Sequence, residues 1–119
     1  MVEDICLKTK RYNGGKRVIF TEKQRILKSE KHPELREPDF INRRIKNTIE
    51  NPNFVYQDLA KPFNREALYI TEFKINNIFR YTKVILEKRE DYFFVITAFR
   101  PNYIKEKGKT KLIYGKEPI

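Results

Sequence analysis

Two patterns of apolar residues divide the chain near residue 53. Before this point residues of one face recur at spacings of three and four, as in Ile41, Ile45, Thr48 and Ile49, which is typical of a helix. After it, apolar residues alternate with polar ones or form continuous runs, which is typical of strands. Helices followed by a sheet predict an α+β fold.

Two helices are predicted in the first half. Thr-Glu-Lys-Gln, starting at Thr21, is a capping-box pattern that begins the first helix. His32-Pro33 should end it, because the residue before a proline avoids helical conformation. The second helix begins near Pro38-Asp39, since proline and an acidic residue both suit a first turn. Asn51-Pro52 ends it.

The strands are predicted from runs rich in β-branched and aromatic residues. The segments between the later runs are short, which favours an antiparallel meander. The run at 92–99, YFFVITAF, is apolar on both faces and therefore suits a central or doubly covered position. A short strand precedes the first helix, four strands follow the second, and a fifth is expected after a polar loop: 18–20, 54–59, 67–73, 81–87, 92–99 and 110–114.

Residues 1–16 are predicted to be a flexible basic arm, because cations there surround a Gly14-Gly15 turn signal. Residues 17–119 are predicted to form a single domain, a size that can bury its own core. No apolar run approaches the length of a membrane helix, and the N-terminus lacks the apolar core of a signal peptide. Cys6 is the only cysteine, so a reducing cytoplasm is the expected location.

The net charge is the bulk property that says most about possible partners. Lys and Arg total 26 against 16 Asp and Glu, giving +10. Such an excess favours a polyanionic partner, nucleic acid before a membrane surface. The same charge is also compatible with a solubilising surface, and it does not separate a nuclease from a protein that only binds nucleic acid.

Metal chemistry has weak support in the sequence. One histidine and one cysteine make no ligand cluster. Asp39, Glu72 and Lys74 imitate the spaced acidic and lysine signature of metal-dependent nucleases, but short patterns of this kind arise by chance in a highly charged chain. A capping role also explains Asp39. A metal-dependent nuclease therefore stays the weakest of three hypotheses, and no cofactor is predicted.

Two residues suit RNA cleavage without a metal, in which the 2′-hydroxyl attacks the adjacent phosphate. His32 can move protons, because histidine titrates near pH 6.5, although it could instead cap a helix end or lie at the surface. Thr97 can hold a phosphate oxygen, although threonine is also simply favoured in strands. Alternation places Thr97 on one face with Phe93, Val95 and Phe99.

The order of motifs resembles one nuclease superfamily. The motifs are a helix ending in HPE, a helix leading to TIENPNFV, strands containing LYI and KVILE, the run YFFVITAF and a Gly/Lys-rich tail. Together they resemble the small ribonucleases of the barnase–EndoU–colicin–RelE superfamily, in the form carried by phages, mobile elements and toxin systems. The resemblance implies two N-terminal helices packed on a twisted four- to five-stranded antiparallel sheet. It covers roughly residues 18–115.

The resemblance also implies the chemistry and the site. Members cut RNA without a metal, and a cyclic 2′,3′-phosphate product is expected. His32, the HPE histidine, would be the general acid or base, and Thr97 and Arg100 would hold the phosphate. Where Phe99 stands, the family often has a tyrosine, so any role of that hydroxyl is in doubt. Expected RNA contacts are Lys31, Arg36, Lys83, Tyr103, Lys109 and Tyr114.

The leading hypothesis is a toxin or mobile-element effector that cleaves RNA in the cytoplasm. Its expected targets are tRNA and mRNA. RNA is the predicted partner, the resemblance leaves room for an antitoxin or immunity protein, and no membrane partner is expected. The alternative, supported by charge alone, is a non-catalytic nucleic-acid-binding module.

Overall fold

A computed structural model describes residues 4–116. In chain order it contains strands and helices, with a 3-10 turn after the first helix and a π-helical segment that leads into the second: β1 (Ile5–Lys10), β2 (Arg17–Thr21), α1 (Glu22–Ser29), the 3-10 turn (Pro33–Arg36), the π-helical segment (Phe40–Ile45), α2 (Lys46–Glu50), β3 (Phe54–Gln57), β4 (Arg65–Ile75), β5 (Ile78–Lys88), β6 (Phe93–Phe99) and β7 (Leu112–Gly115).

The predicted sheet of four to five antiparallel strands is wrong, although the fold is α+β. One seven-stranded sheet has the order β1-β2-β6-β5-β4-β3-β7. It is mixed, because β2 pairs in parallel with β6 through Val18–Phe93 and Ile19–Phe94, whereas the other neighbouring strands are antiparallel. The helices also do not precede the sheet, since β1 and β2 come first and supply one of its edges.

The strands from β3 to β6 form the antiparallel meander that the short connections predict. The segment 74–80, expected to be a connection, is instead part of a long hairpin. Asn76 and Asn77 both have positive φ, 48° and 67°, as a two-residue type I′ turn requires. Asparagine tolerates this conformation, so β4 and β5 continue up to the two turn residues on either side.

Strand β1 lies within the segment predicted as an arm. Leu7 and Thr9 are buried while Lys8 and Lys10 are exposed, and β1 pairs with β2 in antiparallel register. This alternation allows a strand with three polar residues to form an edge of the sheet. Residues 1–3 of the predicted arm and 117–119 of the predicted domain lie outside the described residues, and the domain boundary stays a prediction.

The helices begin and end for local reasons. Thr21 caps α1 as predicted, and its Oγ1 accepts a hydrogen bond from the Gln24 backbone N–H at 3.2 Å. The chain then turns at His32-Pro33, and Pro33 begins the 3-10 turn. Within residues 4–116, no helix combines the length and the apolar character needed to span a membrane.

The sheet has a different core on each face. On one face the helical segments bury Leu35, Ile45 and Ile49 against Val84 and Leu86. The opposite face carries an aromatic cluster, against which Ile104 of the loop after β6 packs: Phe54, Tyr56, Ala67, Tyr69 and Tyr81. Side chains on neighbouring positions of a strand point to opposite faces, so the loop 100–111 covers the face that the helices leave free.

Candidate active site

His32 reaches the sheet because α1 lies along the edge of β6 beyond the point where β2 ends. The pairing of β2 with β6 stops at Ile19–Phe94, and the Gln24 side chain then donates a hydrogen bond from Nε2 to the Ile96 carbonyl oxygen at 2.7 Å. The chain after α1 places the His32 ring parallel to the Phe99 ring, with centroids 4.3 Å apart and an interplanar angle of 6°. The His32 side chain makes no capping hydrogen bond.

Thr97 faces the cleft because β6 contains a bulge. The register with β5 shifts between Ile85–Thr97 and Leu86–Val95, so Ile96 is an extra residue. Val95 therefore lies in the core beneath the helices together with Ala98, while Thr97 and Phe99 face the other side. The alternation that grouped Thr97 with Phe93 and Val95 is wrong, because a bulge reverses the facing of every residue beyond it.

The Thr97 hydroxyl is a buried polar group in need of a partner. Only 8% of the residue is exposed, and Oγ1 has no hydrogen-bond partner among the described residues. A buried hydroxyl without a partner costs about 1–3 kcal/mol. Its position in the wall of a cleft suggests that a ligand supplies the missing partner.

His32 and Thr97 line the same cleft, whose volume is ≈ 370 Å³. Four lysines and two carboxylates lie in its wall, so lysine charge predominates there. The other polar and aromatic lining residues are Lys28, Lys31, Asp58, Lys83, Phe99, Tyr103, Lys105 and Glu106. Lys31, Tyr103 and Lys105 are exposed at the cleft, whereas Lys83, Asp58 and Glu106 are buried.

Lys83 and Glu106 form a buried ion pair in this wall. Lys83 Nζ lies 2.8 Å from Glu106 Oε2, with 3% and 1% of the two side chains exposed. The Tyr69 hydroxyl donates a hydrogen bond to Glu106 Oε1. Burial and Glu106 together raise the pKa of Tyr69, so the phenol stays protonated and keeps this hydrogen bond at neutral pH.

Burial lowers the pKa of His32 below its usual 6.5, with Lys31 and Lys28 acting in the same direction and Glu34 opposing them. The imidazole is therefore mainly neutral at pH 7, the form that accepts a proton. Neutral histidine suits a general base better than a general acid in the resting protein.

This shift predicts a pH dependence of stability. The unfolded chain binds a proton at His32 more readily than the folded protein does, so the free energy of unfolding should decrease as the pH falls through 6.5 toward the lower folded-state pKa. Urea denaturation at pH 7.5 and 5.5 measures it. His32→Gln serves as the matched control and should show a smaller decrease. Equal decreases in both proteins would contradict the assignment.

Four predicted contacts lie elsewhere. Arg100 does not line the cleft; its Nε is buried without a partner among the described residues, and its carbonyl oxygen accepts a hydrogen bond from Arg80. Arg36 lines a smaller hollow beside Cys6. Lys109 is exposed, and Tyr114 packs on Tyr12 at 4.7 Å between ring centroids. Their roles stay predictions that the cleft geometry does not support.

The residues of the metal hypothesis are engaged in other contacts. Asp39 lies 3.4 Å from Arg43 in an exposed pair. Glu72 forms an ion pair with Arg44 and accepts a hydrogen bond from Thr82, while Lys74 lies 5.1 Å from the Phe79 ring centroid. Within residues 4–116, no group of three or more His, Cys, Asp or Glu residues could hold a metal ion.

A larger groove of ≈ 450 Å³ lies beside the β3–β4 connection but contains none of the predicted site residues. Two of its cations are already neutralised, because Arg11 pairs with Glu66 and Arg65 pairs with Glu87. The cleft around His32 has the stronger case for chemistry, because it contains the histidine and the buried Thr97 hydroxyl without a partner among the described residues.

A family model matches residues 5–115, and its description is phage-Barnase-EndoU-ColicinE5/D-RelE like nuclease2. The match spans all seven strands and both helices of the fold. No curated protein and no solved structure matches the chain.

Proposed function

The chain belongs to the phage-Barnase-EndoU-ColicinE5/D-RelE like nuclease2 family, and from this premise we propose that it is an endoribonuclease that cleaves RNA without a metal ion. One observation carries the proposal. His32 and Thr97, far apart in the sequence, line one lysine-rich cleft, and the buried Thr97 hydroxyl there has no partner among the described residues.

In the proposed reaction the 2′-oxygen forms a bond to phosphorus and the bond to the 5′-oxygen breaks, which leaves a 2′,3′-cyclic phosphate. His32 accepts the proton of the 2′-hydroxyl, because its lowered pKa keeps it neutral at pH 7. Stacking on Phe99 fixes the plane of the imidazole. The departing 5′-oxygen takes its proton from water, and the hydroxide that this leaves removes the proton from His32, which restores the neutral imidazole.

In this proposal Thr97 and Lys83 stabilise the negative charge of the phosphate. The Thr97 hydroxyl donates a hydrogen bond to a non-bridging oxygen, which satisfies the buried group and stabilises negative charge as it develops. Lys83 supplies a positive charge from the same wall, where low exposure strengthens the interaction. Lys28, Lys31 and Lys105 attract the backbone, and exposed Tyr103 can stack on a base.

The test is a cleavage assay on a labelled RNA oligonucleotide in EDTA, with the product ends identified by mass spectrometry. We expect cleavage and a 2′,3′-cyclic phosphate end. Cleavage that requires added Mg²⁺, or a product with a 5′-phosphate end, would contradict the proposal.

A non-catalytic nucleic-acid-binding module is the second candidate, favoured by the +10 charge and by four lysines in one cleft. Such a module would bind RNA with strong salt dependence and leave it intact. Binding that His32→Ala does not change, without cleavage by the unmodified protein, would favour this candidate.

We place the activity in a phage or mobile-element toxin that acts in the cytoplasm and that an antitoxin or immunity protein could restrain. The family description, which names phage nucleases, supports this role. Induced expression in a bacterial host should slow growth and fragment cellular RNA, whereas the His32→Ala variant should do neither. Equal growth with both proteins would argue against a toxin.

A further inference from the structure

The wall of the cleft contains a charge pair that stability alone does not explain. Lys83 and Glu106 are almost completely buried, and removing two charges from water costs several kcal/mol for each ion. Apolar residues of similar volume would fill the same space at equal or greater stability. The pair lies beside Thr97 and not in the core beneath the helices, so a role in the cleft is the simpler explanation.

Two neighbouring strands fix the place of Lys83. It pairs with Tyr69 of β4 on one side and with Phe99 of β6 on the other. Its Nζ lies 5.3 Å from the Tyr69 ring centroid and 5.6 Å from that of Phe99. Phe99 in turn stacks on His32. The ammonium therefore lies close to the ring that positions the histidine.

Glu106 ties the loop after β6 to this ammonium. Its two carboxylate oxygens have different partners, since Oε1 accepts from Tyr69 and Oε2 accepts from Lys83. Its backbone carbonyl oxygen accepts hydrogen bonds from the N–H groups of Lys109 and Thr110 at 2.9 and 3.1 Å. Among the described residues, the Lys83 ammonium donates a hydrogen bond to Glu106 Oε2, which uses one of its three N–H donors and leaves donors for an anion.

We propose that Glu106 is a positioning residue: it holds the Lys83 ammonium in place and directs it into the cleft, where this ammonium binds the phosphate of the RNA. The inference rests on the proposed ribonuclease activity and extends it to a residue that never touches the substrate. A glutamate so close to a phosphate site would otherwise repel the substrate, but here the cation neutralises it and the pair is held by Tyr69.

The test compares Glu106→Gln with the unmodified protein at several pH values. Burial without an opposite charge disfavours the charged form of a lysine, so the variant should lose kcat as the pH rises from 6 to 9. We expect a loss of about 10-fold at pH 7 and more at pH 9, with KM changed less than kcat. The pH profile of the unmodified protein should lack this alkaline decrease.

Two further variants separate positioning from a structural role. Arginine stays charged at all these pH values, so Lys83→Arg combined with Glu106→Gln should remove the alkaline decrease. Tyr69→Phe removes the other hydrogen bond of Glu106 and keeps the ion pair; it should lower the Tm without changing the shape of the pH profile. An unchanged profile in Glu106→Gln, or the same profile change in Tyr69→Phe, would overturn the inference.

Should Glu106→Gln not fold, the double variant Lys83→Met, Glu106→Leu carries the test. It should fold with a lower Tm, because the buried Tyr69 hydroxyl loses its partner Glu106, and it should lose cleavage activity; full activity would overturn the inference. The two proposals fail separately. Absence of RNA cleavage by the unmodified protein refutes the ribonuclease, whereas normal cleavage by both the unmodified protein and these variants refutes only the positioning role.

Discussion

Replacing His32 with alanine should lower the rate of RNA cleavage about 10²- to 10⁴-fold, the usual contribution of one proton-transfer group. No second histidine can substitute for it. The protein should remain folded, because the ring is only half-buried and loss of its stacking on Phe99 costs about 0.5–1.5 kcal/mol. RNA binding should persist, since the lysines of the cleft are unchanged.

The measurement is single-turnover cleavage with excess protein, which separates the chemical step from binding. Lys23→Ala is a matched control, because Lys23 is an exposed residue of α1, the helix that precedes His32, and does not line the cleft. It should keep a rate close to that of the unmodified protein. A His32→Ala variant that cleaves at the normal rate would refute the role of the histidine.

Replacing Thr97 with valine has the second largest expected effect, and its two consequences point in opposite directions. Cleavage should fall about 10²- to 10³-fold, as when one donor to a developing oxyanion is removed. The free energy of unfolding should rise by about 1 kcal/mol, because valine has the same shape and removes a buried hydroxyl without a partner among the described residues.

Thr97→Ser is the conservative control for this prediction. It keeps the hydroxyl and removes one methyl group, so it should retain most of the activity and lose some stability. Thermal unfolding and single-turnover cleavage of both variants test the pair. Loss of activity in both variants together with a fall in Tm would indicate a packing role for Thr97 instead of a catalytic one.

The local elements of this fold were predictable where the signal is short-range. The Thr21 cap, the end of the first helix before Pro33 and the four-stranded meander follow from neighbouring residues. Strand β1 was missed because its lysines and threonine suggest a solvated arm, although Leu7 and Thr9 alternate with exposed residues. This weakly alternating segment forms a strand because it pairs with β2, and such pairing is a tertiary effect.

The candidate site was partly predictable. His32, Thr97, Lys31, Lys83 and Tyr103 do line one cleft, although the bulge that turns Thr97 toward it leaves no signature in the run YFFVITAF. A slip of one residue changes which face each side chain takes, and only the pairing with β5 fixes it.

Glu106 was missed entirely, together with Lys28, Asp58 and Lys105. Its surroundings, YIKEKGK, have the composition of a solvated loop, and nothing there indicates a buried carboxylate. The burial arises from Lys83 and Tyr69, which lie on two other strands. A charged residue in a polar loop can be recognised as buried only after the sheet that provides its partners has been built.

The most direct test of the central claim is cleavage, in EDTA, of two RNA oligonucleotides that differ by a single 2′-deoxy sugar at the cut position. We predict that the all-ribose strand is cleaved there and that the 2′-deoxy strand is not, because attack by the 2′-hydroxyl has been removed. Cleavage of the 2′-deoxy strand at the same position would contradict the account.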